Sequence, residues 1–560
     1  METASRDRPL VPAPLARGRH GAVVAPHHLA TAAGLGVLRA GGSAVDAAIA
    51  TNAVLGVVMP QGCGIGGDAF WLIWDAATGR QRALNGSGRA PAASDAAAWR
   101  AADIATMPLI GPRSITTPGA VRSWGAAHAR HGRLARDAVL APAIELAAGG
   151  FPAWDGYIEA VEASAERFTS SDDLPDRGAG WASVHRPHGR RWQPGEVVRL
   201  PALARSLERL ATAGFDDLYE GELAARQCAG LAAAGSPITA ADLRAQGATW
   251  EEPIGLEYRG VRATSHPPNS SGVIALEILG VLGRFEPPPA GAFGPAGVDD
   301  ARWIHLGIEA SKLAMADRDA LLADPAHAED PTEWLLSDEN LRALAARIDD
   351  GRAAPAPEAL VPRGGGTIYL AVVDGAGNAV SLIQSNYMGF GSGVLDPETG
   401  IHYHDRGSFF TLREGHANEL APGKRPLHTL LPGMLFREGR PWVVTGSMGG
   451  DAQPQIHAQV VSALVDGGVD VATAVGAPRW FVEPEAHFAA PVDVRLEPRF
   501  APGIARALRD LGHPLTEIDA FDSTVGHCHA IELVAGGPAA PDGSLSAATD
   551  PRSAGLPAVW

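Results

Sequence analysis

The segment Arg363-Gly364-Gly365-Gly366-Thr367-Ile368-Tyr369 holds the residue best suited to covalent chemistry in this chain of 560 residues. A threonine hydroxyl is a weak nucleophile until a base stands beside it. A threonine at a chain N-terminus brings its own base, an α-amino group with a reference pKa of about 7.7 to 8.0. Such a terminus is made by cutting the preceding peptide bond, and glycines give the backbone the freedom that an intramolecular attack needs. Gly366-Thr367 therefore reads as a self-cleavage site. The same residues also read as a flexible linker running into an ordinary strand-favouring threonine, and the local sequence leaves both readings open. A second feature, Gly446-Ser447-Met448-Gly449-Gly450-Asp451, falls between a strand and a helix. Consecutive backbone N–H groups at such a turn form a nest for an oxyanion; a plain strand-to-helix turn is the alternative.

Other chemistries fail on context. Gly62-Cys63-Gly64-Ile65-Gly66-Gly67 matches G-x-G-x-x-G, but it follows a helical run and opens a strand. A dinucleotide site needs the reverse, so that a helix N-terminus faces the pyrophosphate. His402-Tyr403-His404-Asp405 and His527-Cys528-His529 each place two imidazoles on one face of a strand, without a third ligand at a metal-binding spacing. No serine has glycines two residues away on both sides, as a nucleophile elbow requires. Neither a metal nor a cofactor is expected.

The elements that must carry these residues follow from periodicity. A short strand at 22–25 leads to a helix over Leu29–Arg39 that stops at Gly41-Gly42. Ser43 then caps an almost wholly apolar helix over Ala44–Val58, which must be buried all round. Ala69–Trp74 and Gln81–Asn85 read as a hairpin. The stretch from about Thr117 to Ile348 is mainly helix-periodic, ended or interrupted by the Pro/Gly-rich loops Glu286–Gly297 and Ala353–Gly366. Thr367–Val373, the turn Asp374–Asn378 and Ala379–Ser385 form a strong hairpin signal. Further strands are expected at Trp442–Thr445, Val492–Leu496 and Ala530–Val534, with a helix at Ile456–Leu464. Helices gathered between strands suggest an α+β protein layered as αββα.

Composition narrows the partners. With 46 basic and 63 acidic side chains the formal charge is −17 and no basic run exceeds a couple of residues, which argues against nucleic acid. Three cysteines, far apart, make neither a disulfide framework nor a closed zinc site. No run of about 18 apolar residues and no secretory leader is present, so a cytoplasmic protein without a membrane partner is expected.

Taken together, the motifs resemble the γ-glutamyltransferase family of N-terminal-nucleophile hydrolases. They are Ala40–Ala48, Pro60–Gly67, Thr117–Ala120, Pro267–Gly272, Ala316-Asp317-Arg318 with Asp324-Pro325, the Thr367 hairpin, Pro422–Leu427, Thr445–Gly450 and Asp550–Ser553, in the family order. The resemblance implies a four-layer αββα sandwich, made as a proenzyme and cut before Thr367 into segments 1–366 and 367–560 that stay together. A dimer of that heterodimer is left open. It further implies Thr367 as nucleophile, Ser385 as the hydroxyl bonded to it, and Gly449 and Gly450 as the oxyanion hole, with water or an amine accepting the acyl group.

The substrate grip departs from the family pattern. Ser87 stands where the family has an arginine, with Arg89 two residues displaced. Phe409 replaces an acidic residue, His428-Thr429 replace paired serines, and Tyr387 replaces an asparagine. The combination of Gln384–Tyr387, Arg406-Gly407 and His428-Thr429 resembles the branch that includes oxamate amidohydrolase. The expectation is therefore an amidohydrolase for a small acidic amide, its site lined by Arg89, Arg406, His428, Thr429 and Tyr387, with Arg406, Arg89 or His428 as carboxylate partner. True γ-glutamyl hydrolysis or transfer on glutathione-like compounds, acylase action on β-lactam side chains, and an unprocessed binding paralogue are the alternatives.

Overall fold

The computed structural model describes residues 13–355, 366–483 and 493–560. Strand Gly366–Val373 shows why the chain must be layered. Ile368, Leu370 and Val372 alternate with Tyr369, Ala371 and Val373, yet all six are buried. A strand apolar on both faces needs a packed layer on each side.

Two seven-stranded antiparallel sheets supply one pairing each. The first runs Ala558–Val559, Ala22–Val24, Gly366–Val373, Ala379–Tyr387, Asp68–Asp75, Arg80–Gly86, Thr249–Glu251. The second runs Leu15–Gly18, Ser544–Ala548, Cys528–Val534, Arg440–Ser447, Pro432–Arg437, Val261–Ser265, Ile254–Tyr258. Tyr369, Ala371 and Ile383 of the first meet Met434, Val444 and Ile531 of the second in the central core. Ile368, Leu370 and Val372 pack instead against helices that include Ala44–Val58. On the far side, Leu435, Val443 and Ala530 meet helices Gly272–Leu282, Ala301–Leu321 and Gln453–Val465. The order helix, sheet, sheet, helix is the expected αββα sandwich.

Local sequence accounts for the main elements. Ser43 and Asp46 form a capping box on helix Ala44–Val58, satisfying two otherwise bare N–H groups, and all fifteen residues of that helix are buried. The hairpin over Asp68–Asp75 and Arg80–Gly86 forms as expected. The region read as mainly helical also holds the strands Thr249–Glu251, Ile254–Tyr258 and Val261–Ser265. They are short, polar and at or near sheet edges, so their apolar pattern is weak. Of the two expected loops, Glu286–Gly297 contains a 3-10 turn and the buried Phe293, which pairs with Val298. Most of the second, including Gly364 and Gly365, lies outside the described residues, as does Val492 at the head of strand Asp493–Leu496. Among the described residues no helix is long and apolar enough to cross a membrane.

Candidate active site

Thr367 enters its strand at a fault in the ladder. The register against Ala379–Tyr387 shifts between Gly366 and Ile368, and an irregularity of that kind re-aims the side chain beside it. Thr367 is buried, with Oγ1 3.0 Å from Ser385 Oγ. Ser385 Oγ lies 2.7 Å from the Gly366 carbonyl oxygen and accepts the Tyr387 N–H at 2.7 Å. A carbonyl can only accept, so the Ser385 hydrogen goes to Gly366 and the Thr367 hydroxyl donates to Ser385. The donor chain thus leads from Thr367 to the carbonyl of the peptide bond before it. Tyr387 aims its N–H from a φ of 72°, a conformation a bulky residue holds only under constraint.

Arg406 closes this group. It is 1% exposed, with Nη1 3.2 Å from Thr429 Oγ1 and Nη2 3.4 Å from Ser385 Oγ. Its guanidinium carbon lies 4.4 Å from the Tyr387 ring centre and 4.8 Å from that of Phe409. Among the described residues no carboxylate comes within 4.0 Å of it, whereas the equally buried Arg479 and Arg552 both pair with Asp550. Burial lowers the Arg406 pKa to about 10, although Tyr387, Asp68, Asp405 and Asp451 act the other way. The site therefore holds a desolvated cation with room in its chemistry for an anion.

Behind it stands an acid-imidazole group. Asp68, opposite Ser385 in the sheet, accepts the Gly88 N–H at 2.9 Å and lies 3.2 Å from His428 Nε2 and 3.6 Å from His404 Nε2. Burial raises the Asp68 pKa, but His404, His428 and the Gly88 N–H outweigh it and hold the carboxyl below its ordinary value. Burial and then the charge of Arg406 push His428 down to about 3, so its imidazole is neutral. His404 Nδ1 accepts the Arg406 N–H at 3.0 Å, which fixes the backbone from which the guanidinium extends.

The turn Gly449-Gly450 follows strand Arg440–Ser447 and leads through Gly450–Ala452 into helix Gln453–Val465. Gly449 has φ 145° and Gly450 φ 55°, and a Cβ on Gly449 would lie 2.8 Å from Ile456 Cδ1, so both positions require glycine. The strand that delivers them crosses the Thr367 strand where Gly446 packs on the Tyr369 ring.

The structure thus brings Thr367, Ser385, Tyr387, Arg406 and Thr429 into one hydrogen-bonded and aromatic cluster, with His428 joined to it through Asp68. Arg89 is spent elsewhere, donating to Gly423 O at 2.9 Å and lying 3.7 Å from Asp324. Ser87 is fully buried, and its hydroxyl bonds Asn85 Oδ1 at 2.7 Å. Sequence reasoning did not find Asp68 or Asp405, and His404 had drawn notice only as half of a metal pair. Its neighbour His402 instead meets His185 Nε2 at 2.6 Å. Among the described residues one group gathers three metal-type donors, His305, Glu309 and His513. There Lys312 bonds Glu309 Oε1 at 2.7 Å and His305 Nδ1 lies 2.7 Å from His513 Nε2, so two of the three donors are engaged within the protein.

Residues 30–560 match the family model described as gamma-glutamyltranspeptidase. The chain belongs to that family. Membership makes it an enzyme of the amidohydrolase and acyltransferase kind. The oxamate amidohydrolase proenzyme of Klebsiella pneumoniae is 38% identical over 97% of this chain and 98% of its own. The glutathione hydrolase-like YwrD proenzyme of Bacillus subtilis is 36% identical over 95% and 97%. The crystal structure of cephalosporin acylase from Bacillus halodurans superposes with a TM-score of 0.89 at 36% identity, covering 100% of this chain and 99% of its own. A gamma-glutamyltranspeptidase fold thus positions the cluster around Thr367.

Proposed function

We propose that this gamma-glutamyltranspeptidase-family enzyme cuts itself between Gly366 and Thr367 and then hydrolyses small amides that carry a carboxylate. In the intact chain the Thr367 hydroxyl attacks the Gly366 carbonyl carbon while the Ser385 hydroxyl holds its oxygen. The acyl group passes from nitrogen to oxygen, and water then hydrolyses the ester, leaving segments 1–366 and 367–560. The freed Thr367 amine takes the proton of its own hydroxyl as that oxygen attacks a substrate amide. The N–H groups of Gly449 and Gly450 stabilise the oxyanion, a contribution of about 3 to 4 kcal/mol per donor. The leaving amine departs with the proton, and water releases the acid.

The observation that carries the substrate class is Arg406, buried beside Ser385 and without a carboxylate partner among the described residues. A guanidinium in that state is relieved by a substrate carboxylate through charge-assisted hydrogen bonds. The 38% identity to an oxamate amidohydrolase proenzyme supports the same reading. γ-Glutamyl hydrolysis, the second reading, is favoured by the family description, but Ser87 and Phe409 give no ionic grip at the positions altered from the family pattern.

Intact mass under denaturing conditions tests the cleavage: wild type gives chains of 366 and 194 residues and Thr367→Ala stays at 58.0 kDa. Assay of the processed enzyme on oxamate and on a γ-glutamyl anilide then separates the two substrate readings. If both proteins remain whole, the reading of Thr367 as a self-generated N-terminal nucleophile fails.

A further inference from the structure

The left-handed Tyr387 is tied by the N–H groups on both sides of it. Its own N–H goes to Ser385 Oγ at 2.7 Å, and the next, of Met388, goes to Asp405 Oδ1 at 3.1 Å. Asp405 is fully buried at the head of the 3-10 turn Arg406–Phe409, and its backbone N–H donates to Asn386 O at 3.3 Å. Its second carboxyl oxygen, Oδ2, has no hydrogen-bond partner among the described residues. Beyond Met388 the segment is held from the other side. Arg167 donates to Gly389 O and, at 3.2 Å, to Gly391 O, and the Phe390 N–H reaches Gln61 O at 3.0 Å.

The Tyr387 N–H matters because of what it does to Ser385. A serine oxygen accepts two hydrogen bonds and donates one. With the Thr367 hydroxyl and the Tyr387 N–H as its two close donors, and Arg406 Nη2 more distant at 3.4 Å, the serine hydrogen is left for the Gly366 carbonyl. A left-handed conformation is unfavourable for a residue with a Cβ, so Tyr387 keeps it only while neighbouring bonds require it. Without an acceptor for the Met388 N–H, Tyr387 relaxes and its N–H turns off Ser385 Oγ. The carboxyl pKa of about 7 fits this role, since near neutral pH much of Asp405 is an uncharged acceptor, and an uncharged acceptor is enough to hold an N–H.

We propose that Asp405 is a positioning residue for self-cleavage: by accepting the Met388 N–H it holds Tyr387 in the conformation that delivers its N–H to Ser385, and so directs the Ser385 hydrogen onto the Gly366 carbonyl. The inference rests on the reading of Gly366–Thr367 as the bond that is cut.

The test follows self-cleavage, which needs no substrate, as intact mass against time in precursor made by cell-free synthesis. Wild type is compared with Asp405→Ala, Asp405→Asn, Ser385→Ala and the double variant Asp405→Ala with Ser385→Ala. Asp405→Ala should slow cleavage about tenfold, the population factor that goes with the left-handed penalty. Asp405→Asn keeps an oxygen for the Met388 N–H and should stay within about threefold of wild type. In the Ser385→Ala background there is no hydroxyl to direct, so adding Asp405→Ala should change the rate by less than about threefold. Equal slowing by Ala and Asn would assign the effect to the carboxyl charge, and a further tenfold loss in the Ser385→Ala background would assign it to the fold. Either result overturns the proposal, as does cleavage of Asp405→Ala at the wild-type rate. If Asp405→Ala does not fold, Asp405→Ser decides by the same criteria, since its shorter side chain falls short of the Met388 N–H. If wild type itself stays whole, the reading of Thr367 has failed; if wild type cuts and Ser385→Ala slows it while the Asp405 series does nothing, only the role of Asp405 has.

Discussion

Replacing Arg406 by methionine makes activity and stability move in opposite directions if the guanidinium serves the substrate. Methionine keeps an unbranched apolar stem on the Tyr387 and Phe409 rings and removes only the charge. In the free enzyme that charge is 1% exposed, without a carboxylate among the described residues, and bonded to two hydroxyls at 3.2 and 3.4 Å. Removing a desolvated, unpaired cation is neutral or stabilising, by up to a few kcal/mol, so the unfolding midpoint should hold or rise. With an acidic substrate bound, the same change deletes a charge-assisted pair and strands a buried carboxylate, a loss of about 2 to 5 kcal/mol. That corresponds to a fall of roughly 30- to 4000-fold in kcat/KM. Steady-state kinetics on oxamate and oxamide, with thermal unfolding of the same preparations, give both readouts. Equal losses on the two substrates, together with a lowered midpoint, would show Arg406 to be a structural tie and refute the reasoning.

Three further outcomes follow from the same geometry. Ser385→Ala removes the hydroxyl that touches both Thr367 Oγ1 and the Gly366 carbonyl, so self-cleavage followed by gel and subsequent turnover should both slow, each by about 100-fold. Burial raises the Asp405 carboxyl from 3.8 to about 7 against the pull of Arg167, the Met388 N–H and Arg406. The unfolded chain therefore ionises from pH 3.8 while the folded one does not, and stability falls as pH rises to about 7. Asp405→Asn should remove that decline, bounded above by ~4 kcal/mol, in midpoints measured from pH 4 to 8. Arg89→Ala should shift KM for oxamate and oxamide alike by less than about threefold, because its guanidinium is held by Gly423 O and Asp324; selective loss on oxamate would return it to the binding role.

The architecture was legible where local signals and burial agree. Ser43, the wholly apolar Ala44–Val58 and the Thr367 hairpin specify buried elements whose pattern needs no tertiary knowledge. The edge strands Thr249–Glu251 and Ile254–Tyr258 did not announce themselves, because a strand with one free side tolerates polar residues, and Val261–Ser265 beside them is only five residues long. At the site, the glycines before Thr367 marked it as a candidate and the family resemblance marked Ser385 and Arg406, but the pairings across the sheet were not legible. Asp68 meets His428 across 360 positions of sequence. Burial, with the nearby charge of Arg406, outweighs that contact and leaves an apparent anion ligand as a neutral imidazole. The choice between Arg89 and Arg406 likewise depended on which guanidinium already had a carboxylate nearby.

Both sheets interleave strands from the two sides of the Gly366–Thr367 bond: Ala22–Val24 and Asp68–Asp75 flank the Thr367 hairpin, and Leu15–Gly18 pairs with Ser544–Ala548. Severing that bond as proposed removes one covalent link and no layer, so the cut protein holds together through its ladders and cores. Its thermodynamics change nonetheless. Refolding of the uncut chain is a unimolecular search, whereas two unfolded fragments must first meet, so recovery becomes dependent on concentration. Cleavage would then act as a ratchet: the precursor is the species that can find the fold, and the mature enzyme persists through slow unfolding rather than ready return.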